Sequence, residues 1–245
     1  LLVCGGYDSF IEEFIPATFG LLDQGYTLLF FEGDGQGKTL KYGLPLTYAW
    51  EEPTKCVLDY YQINHCPMIG ISWGGYFVMR AAAFEKRISA VVAYDVADDG
   101  LEIMTNVFPP ILRRLIRWVF AHKQEKLVNH LVRFAIHKSV LADWALSQGQ
   151  YITHTKSPYR FYQEVQKHTL RGVCDRITQD CLLLAGEKDH YIPIDQFERL
   201  QSSLPNARSV KKCVFTQAEG GEQHCQIGNH QLALNEITQW LEGLE

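Results

Sequence analysis

Gly70-Ile71-Ser72-Trp73-Gly74-Gly75 follows the apolar run Pro67-Met68-Ile69 and precedes residues 76–84, a stretch with few helix breakers. The apolar run predicts the end of a buried strand, and the stretch after the turn predicts a helix. A Gly-x-Ser-x-Gly turn between strand and helix forces the serine into a strained backbone conformation and lifts its hydroxyl clear of the sheet. The helix N-terminus then points backbone N–H groups at whatever the hydroxyl attacks. Glycine is required at 70 and 74 because side chains there would collide with the neighbouring strand and helix. The plainer alternative is a small-residue turn in which Ser72 only caps the helix.

Upstream of this turn, Leu1 to Cys4 reads as a buried strand ending at Gly5-Gly6. A helix capped by Asp8 or Ser9 is expected through Phe14, continuing past Pro16 to Leu22. Residues 26–31 form a continuous apolar strand of the parallel-sheet type and run into Glu32-Gly33-Asp34-Gly35-Gln36-Gly37. The alternating glycines invite a phosphate-binding reading. No Lys-Ser/Thr pair follows and the spacing is not Gly-x-Gly-x-x-Gly, so that reading is set aside. Residues 48–63 read as an amphipathic helix interrupted near Pro53.

Downstream, residues 88–95 form the next strand. From 96 to 169 no strand pattern occurs, and helical stretches fall at 111–120, 126–136 and 159–168. The alternation resumes with a strand at 181–186, a helix at 194–204, a strand at 210–216 and a last helix at 231–241. The pattern predicts an α/β fold, a mostly parallel, doubly wound sheet. Its core comprises residues 1–96 and 171–245, with a helical lid insertion at 97–170 over the site.

The 245 residues suit one α/β domain, and a net charge of −5 argues against a nucleic-acid partner. The seven cysteines include no Cys-x-x-Cys pair. Cys4, Cys66, Cys181 and Cys213 lie in apolar, strand-like segments, as buried small hydrophobes do. Without a disulfide framework, a reducing, cytoplasmic setting is expected. No signal peptide or membrane-spanning run is seen. The chain opens at Leu1-Leu2-Val3-Cys4, in mid-strand, and reads as a piece of a longer one.

A serine hydroxyl needs a base to take its proton, and the base needs a group to orient it. His224 fits the base, in the polar, glycine-rich loop 218–225 between the last strand and the last helix. Asp189 fits the acid, in Gly186-Glu187-Lys188-Asp189 directly after an apolar strand. The order serine, acid, histidine is the one this kind of fold uses. Asp95, Asp98 and Asp99 follow the strand after Ser72 and are the rival acids. His65, His122, His130, His137, His154 and His168 are read as surface or lid residues. His190 and His230 are weaker candidates than His224. His122, His130 and His137 share a helical spacing without a carboxylate cluster, so no metal site is expected.

Carbonyl cleavage also needs donors for the oxyanion. The backbone N–H of Trp73 is one, and that of Tyr7, after Gly5-Gly6, is the other. Asp8 beside it contacts substrate or caps the following helix.

These stretches resemble the α/β-hydrolase family over nearly the whole chain. More closely, the chain is similar to the branch holding acylaminoacyl-peptidase-like and esterase-like proteins. That branch also holds carbon–carbon bond hydrolases related to 2,6-dihydroxypseudooxynicotine hydrolase and fungal polyketide-shortening hydrolases. Gly5-Gly6-Tyr7-Asp8-Ser9 is similar to the family's oxyanion loop. Residues 31–37 are similar to its Phe-Asp-Gly-Pro-Gly-Gln-Gly signature, departing at Glu32 and Asp34. Residues 222–229 are similar to its histidine loop. The resemblance implies Ser72 as nucleophile, Asp189 as acid and His224 as base, and a helical segment preceding the hydrolase core.

The expectation is a serine hydrolase, esterase-like or acyl-peptidase-like, acting through an acyl-enzyme on a small molecule or short peptide without a cofactor. A homodimer is the assembly to test for. Carbon–carbon cleavage uses the same triad and stays open, as does a non-catalytic binding module in which the three side chains fail to meet. Arg113, Arg114 and Arg117 share a helix with Ile111, Leu115 and Trp118. That helix is amphipathic with its arginines in solvent, or it lines an acyl pocket, meets an anionic substrate or touches a membrane.

Overall fold

The computed structural model describes residues 1–244. Six parallel strands form one sheet: β1 (Leu2–Cys4), β2 (Leu29–Phe31), β3 (Cys66–Ile71), β4 (Ile88–Tyr94), β5 (Asp180–Gly186) and β6 (Ser209–Phe215). Their order is β2-β1-β3-β4-β5-β6, which places β3 and β4 at the centre. Parallel neighbours need crossovers, and helices supply them on both faces. Ahead of β3 come α1 (Ile15–Thr18), α2 (Gly20–Asp23), α3 (Gly37–Lys41) and α4 (Glu51–Tyr60). Between β3 and β4 lies α5 (Gly74–Phe84). Between β4 and β5 lie five helices: α6 (Gly100–Asn106), α7 (Pro110–Ala121), α8 (Glu125–Ile136), α9 (Val140–Ile152) and α10 (Pro158–Val165). The chain closes with α11 (Ile194–Ser202) and α12 (His230–Glu242).

Central strands buried on both faces read as unbroken apolar runs, and β5 is buried at every residue. One face carries α4, α5 and the helices between β4 and β5, with Trp50 stacked on Phe77 at 3.6 Å between ring centres. The other face packs Val3, Ile69, Val92 and Leu182 against Ile237 and Trp240 of α12. No helix among the described residues is long and apolar enough to cross a membrane.

Four local expectations need correction. The single helix expected after Gly6 is a short turn, Ile11–Glu13, followed by α1 and α2. Asp8 caps none of these; instead the Ser9 hydroxyl accepts the Gly6 N–H at 3.2 Å. The helix expected at 48–63 is not interrupted at Pro53. The proline lies in the first turn of α4, where a missing N–H costs no intrahelical bond. Cys213 is only half-buried, because β6 is an edge strand.

Candidate active site

Ser72 follows β3 at φ +63°, a left-handed backbone that a side chain adopts only under constraint. Its N–H donates to the Tyr94 carbonyl at 2.6 Å. A side chain at Gly70 would run into the Gly74 carbonyl, so the serine turn folds directly back over β3. The Ser72 hydroxyl meets His224 Nε2 at 2.8 Å. On the other side of the ring, Nδ1 meets Asp189 Oδ2 at 2.6 Å. Asp189 is itself aimed, since its Oδ1 accepts the N–H groups of Tyr191 at 2.8 Å and Ile192 at 3.0 Å. The structure thus brings together the three residues read from the sequence as nucleophile, base and acid.

The rival acids separate. Asp98 pairs with Arg199 at 3.2 Å, and Asp99 caps α6 by accepting the Glu102 N–H at 3.0 Å. Asp95 does not turn away: its Oδ2 lies 3.0 Å from the same His224 Nδ1. The reason is topological. β4 and β5 are neighbours, with Tyr94 beside Leu184, so the loops after both strands end at one point.

The backbone N–H groups of Tyr7 and Trp73 donate no hydrogen bond among the described residues. The loop after β1 lies close against the serine turn, for a Cβ at Gly6 would stand 2.7 Å from Trp73 N and 3.0 Å from Ser72 Cβ. Gln36 holds that loop from behind, its Nε2 donating to the Gly6 carbonyl at 2.8 Å while its Oε1 accepts the Gly33 N–H at 3.0 Å. The glycine-rich loop after β2 is therefore a buttress for the loop after β1. The Tyr7 hydroxyl reaches into α9 and donates to the Ala145 carbonyl at 2.6 Å.

His168 is a correction. It is 2% exposed and sits behind Trp73, whose indole N–H donates to its Nδ1 at 3.1 Å. The chain leaves α10 there, and its return to the core is tied to the residue after Ser72. The remaining histidines set aside above, His65, His122, His130, His137 and His154, are exposed.

Burial opposes charge on the His224 ring. The neighbouring sulfur of Cys225, then Asp189 and Asp95, pull the other way and win, so its pKa stands well above the ordinary value. Burial also pushes the Cys225 thiol up to about 12, which leaves the sulfur neutral near pH 7 and the two carboxylates as the charges facing the ring. For Asp95, burial raises the pKa, but bonds from His224, Cys225 and Gln226 outweigh it and the net shift is downward. Burial, with Glu13 nearby, raises the Asp8 carboxyl. His168 has no such partners, and burial takes it down to about 3.

A cavity of about 390 Å³ surrounds the serine. Ile103, Met104 and Trp144 line it on the side of the inserted helices, and Phe14, Leu234 and Ile237 on the side of α1 and α12. Asp8 also lines it. Asp95, His224 and Cys225 bring donor atoms within 4.8 Å of one another, the spacing of a metal grouping. The imidazole nitrogens are already committed, Nε2 to Ser72 and Nδ1 to Asp189.

The sequence reading missed three features. Gln36 had a signal, since it lies in the signature-like loop, but its reach to Gly6 is a tertiary fact. His168 carried none, being one histidine among several at the end of a helical stretch. Asp95 reads in the sequence as a rival to Asp189, and only the strand pairing makes it a companion.

Comparison with known proteins fits this fold. Hydrolase acrC of Aspergillus aculeatus is 27% identical over 99% of this chain, which corresponds to 59% of that protein. Hydrolyase poxO of Penicillium oxalicum is 31% identical over 69% of this chain and 43% of its own length. The chain thus spans about 60% of the length of the first of these relatives. Among solved structures, 2,6-dihydroxy-pseudo-oxynicotine hydrolase superposes with a TM-score of 0.69 at 18% identity, over 98% of this chain and 58% of that one. The family model described as alpha/beta hydrolase fold matches residues 4–224, and the chain belongs to that family.

Proposed function

We propose that this chain is a serine hydrolase that transfers an acyl group to water. The observation that carries the reading is the continuous hydrogen-bonded line from Ser72 Oγ through His224 to Asp189, at 2.8 and 2.6 Å. His224 Nε2 takes the Ser72 proton as the oxygen attacks the substrate carbonyl. Asp189 keeps Nδ1 protonated and balances the imidazolium. The N–H groups of Tyr7 and Trp73 receive the oxyanion, and His224 returns its proton to the leaving group. Water then repeats the sequence on the acyl-enzyme. That the three side chains meet weighs against the binding-module reading.

The substrate is a small molecule whose scissile ester or amide carbonyl carries apolar groups on both sides. Two features support this: the cavity's aliphatic and aromatic walls, and its extent from α6 and α9 to α1 and α12. Residues 97–170 act as its lid, since their helices supply Ile103, Met104 and Trp144 to the cavity.

The test is labelling with a fluorophosphonate probe, read by peptide mass, on the wild type and on His224→Ala. A single adduct on Ser72 that is lost in the variant is expected. A folded protein that takes no adduct at Ser72 would overturn the reading.

A further inference from the structure

Asp95 stands outside the line from Ser72 to Asp189, yet it reaches the base directly. Its Oδ2 lies 3.0 Å from the His224 nitrogen that Asp189 meets at 2.6 Å. The carboxylate is 1% exposed, so water does little to screen it. Two further bonds aim it, from Cys225 N–H to Oδ2 at 2.6 Å and from Gln226 Nε2 to Oδ1 at 3.2 Å. The turn that supplies them is strained, with Cys225 at φ +50° and Gln226 at φ +47°. Such backbone is unfavourable for a residue with a side chain and persists only where its surroundings hold it. The buried Gln226 Oε1 also has no hydrogen-bond partner among the described residues. Strain and an orphaned oxygen are thus both kept in the turn that brings Asp95 to His224.

Resting on the serine-hydrolase reading, we propose that Asp95 is a positioning residue, a second carboxylate that shares the His224 Nδ1–H with Asp189. When Ser72 attacks, its proton moves from Oγ to Nε2, the oxygen's electron pair forms the bond to the carbonyl carbon, the carbonyl π pair moves onto its oxygen as the oxyanion, and Nδ1–H stays between the two acids. One carboxylate normally suffices to fix the tautomer and balance the imidazolium. Two carboxylates, held at the ends of neighbouring strands, make the arrangement redundant. They also hold the base protonated to higher pH, so the resting enzyme idles where a single-acid site would already work.

The other titratable groups facing the ring are Asp8, Cys225, His190 and Tyr191. They are unchanged in the variants below, so differences between variants belong to the two acids.

The experiment compares Asp95→Asn, Asp189→Asn and the double variant in the full chain. It measures kcat/KM against pH on p-nitrophenyl butyrate and the His224 ring titration by NMR. In Asp95→Asn, the acid limb and the ring titration should both move down by about one pH unit, with kcat about tenfold lower. Asp189→Asn should lose about 10²-fold, well short of the roughly 10⁴-fold expected where no second acid exists. The double variant should fall to the level of His224→Ala.

An Asp95→Asn protein whose ring titrates as in the wild type would overturn the proposal and leave Asp95 as a loop staple. So would an Asp189→Asn protein already as inactive as His224→Ala. If Asp95→Asn does not fold, the Asp189→Asn arm decides alone. The NMR titration needs no turnover, so it stands apart from fluorophosphonate labelling, whose failure would reject the serine-hydrolase reading instead.

Discussion

His224 and His168 lie on two sides of the serine turn, both buried and both hydrogen-bonded at Nδ1. At His224 the partners are carboxylates, and the ring's pKa is lifted well above the ordinary value. At His168 the partner is an indole N–H and the surroundings are the rings of Trp73, Tyr76 and Phe77, so burial acts unopposed and the pKa falls to about 3. Burial alone therefore makes a histidine a neutral acceptor; burial beside anions makes it a proton store. The first suits a strut and the second a base.

Mutation offers the sharpest way to break that contrast. His224→Ala should reduce kcat by about 10⁴- to 10⁶-fold. His168→Gln, which keeps an acceptor for the Trp73 indole, should cost less than about tenfold. A His168→Gln loss comparable to that of His224→Ala would mean that the strut takes part in the chemistry.

The pH dependence sharpens it next. In the proposed mechanism the base must be neutral to act, and His224 is held above its ordinary value of about 6.5. The acid limb of kcat/KM should therefore lie above about pH 6.5, with activity lost as pH falls through it. A limb below that value would show that the two carboxylates do not charge the ring.

Stability gives a smaller effect of opposite origin. Between about pH 6.5 and pH 3 the unfolded chain binds a proton at residue 168 and the folded chain does not. Stability is therefore lost as pH falls through that window, by up to about 1.4 kcal/mol per pH unit. His168→Gln removes this loss, so urea midpoints of variant and wild type should converge at acid pH. Parallel curves would place the ring in contact with solvent.

The mildest test concerns the buttress. Gln36→Ala releases the Gly6 carbonyl and should lower kcat about tenfold with little change in KM, because only the loop proposed to bind the oxyanion is displaced. A rise in KM alone would assign Gln36 to substrate binding.

Much of this was legible in the chain. Apolar runs of the right length marked the strands, and the turn at Ser72 with loops at Asp189 and His224 marked the end of the sheet where a site can form. What the linear pattern concealed depends on neighbours distant in sequence. Asp95 joins Asp189 because β4 lies beside β5, a pairing no local periodicity encodes. His168 looks polar in sequence and is buried because the helices between those strands return beneath it. Pro16 lies in the first turn of α1, where its ring fits and its missing N–H costs no intrahelical bond, so the chain restarts a helix there instead of continuing the turn at Ile11–Glu13.

The five helices between β4 and β5 leave and rejoin the sheet at adjacent strands. Closing a longer loop there costs only about 0.6 kcal/mol per doubling of its length. Ser72, Asp95, Asp189 and His224 all lie outside that excursion, while Ile103, Met104 and Trp144 of the cavity wall lie within it. Selection can thus lengthen, shorten or replace the wall almost independently of the machinery beneath. Diversity of substrate among relatives should accumulate in this one stretch of the gene, and exchanging it between them is the natural route to a new specificity.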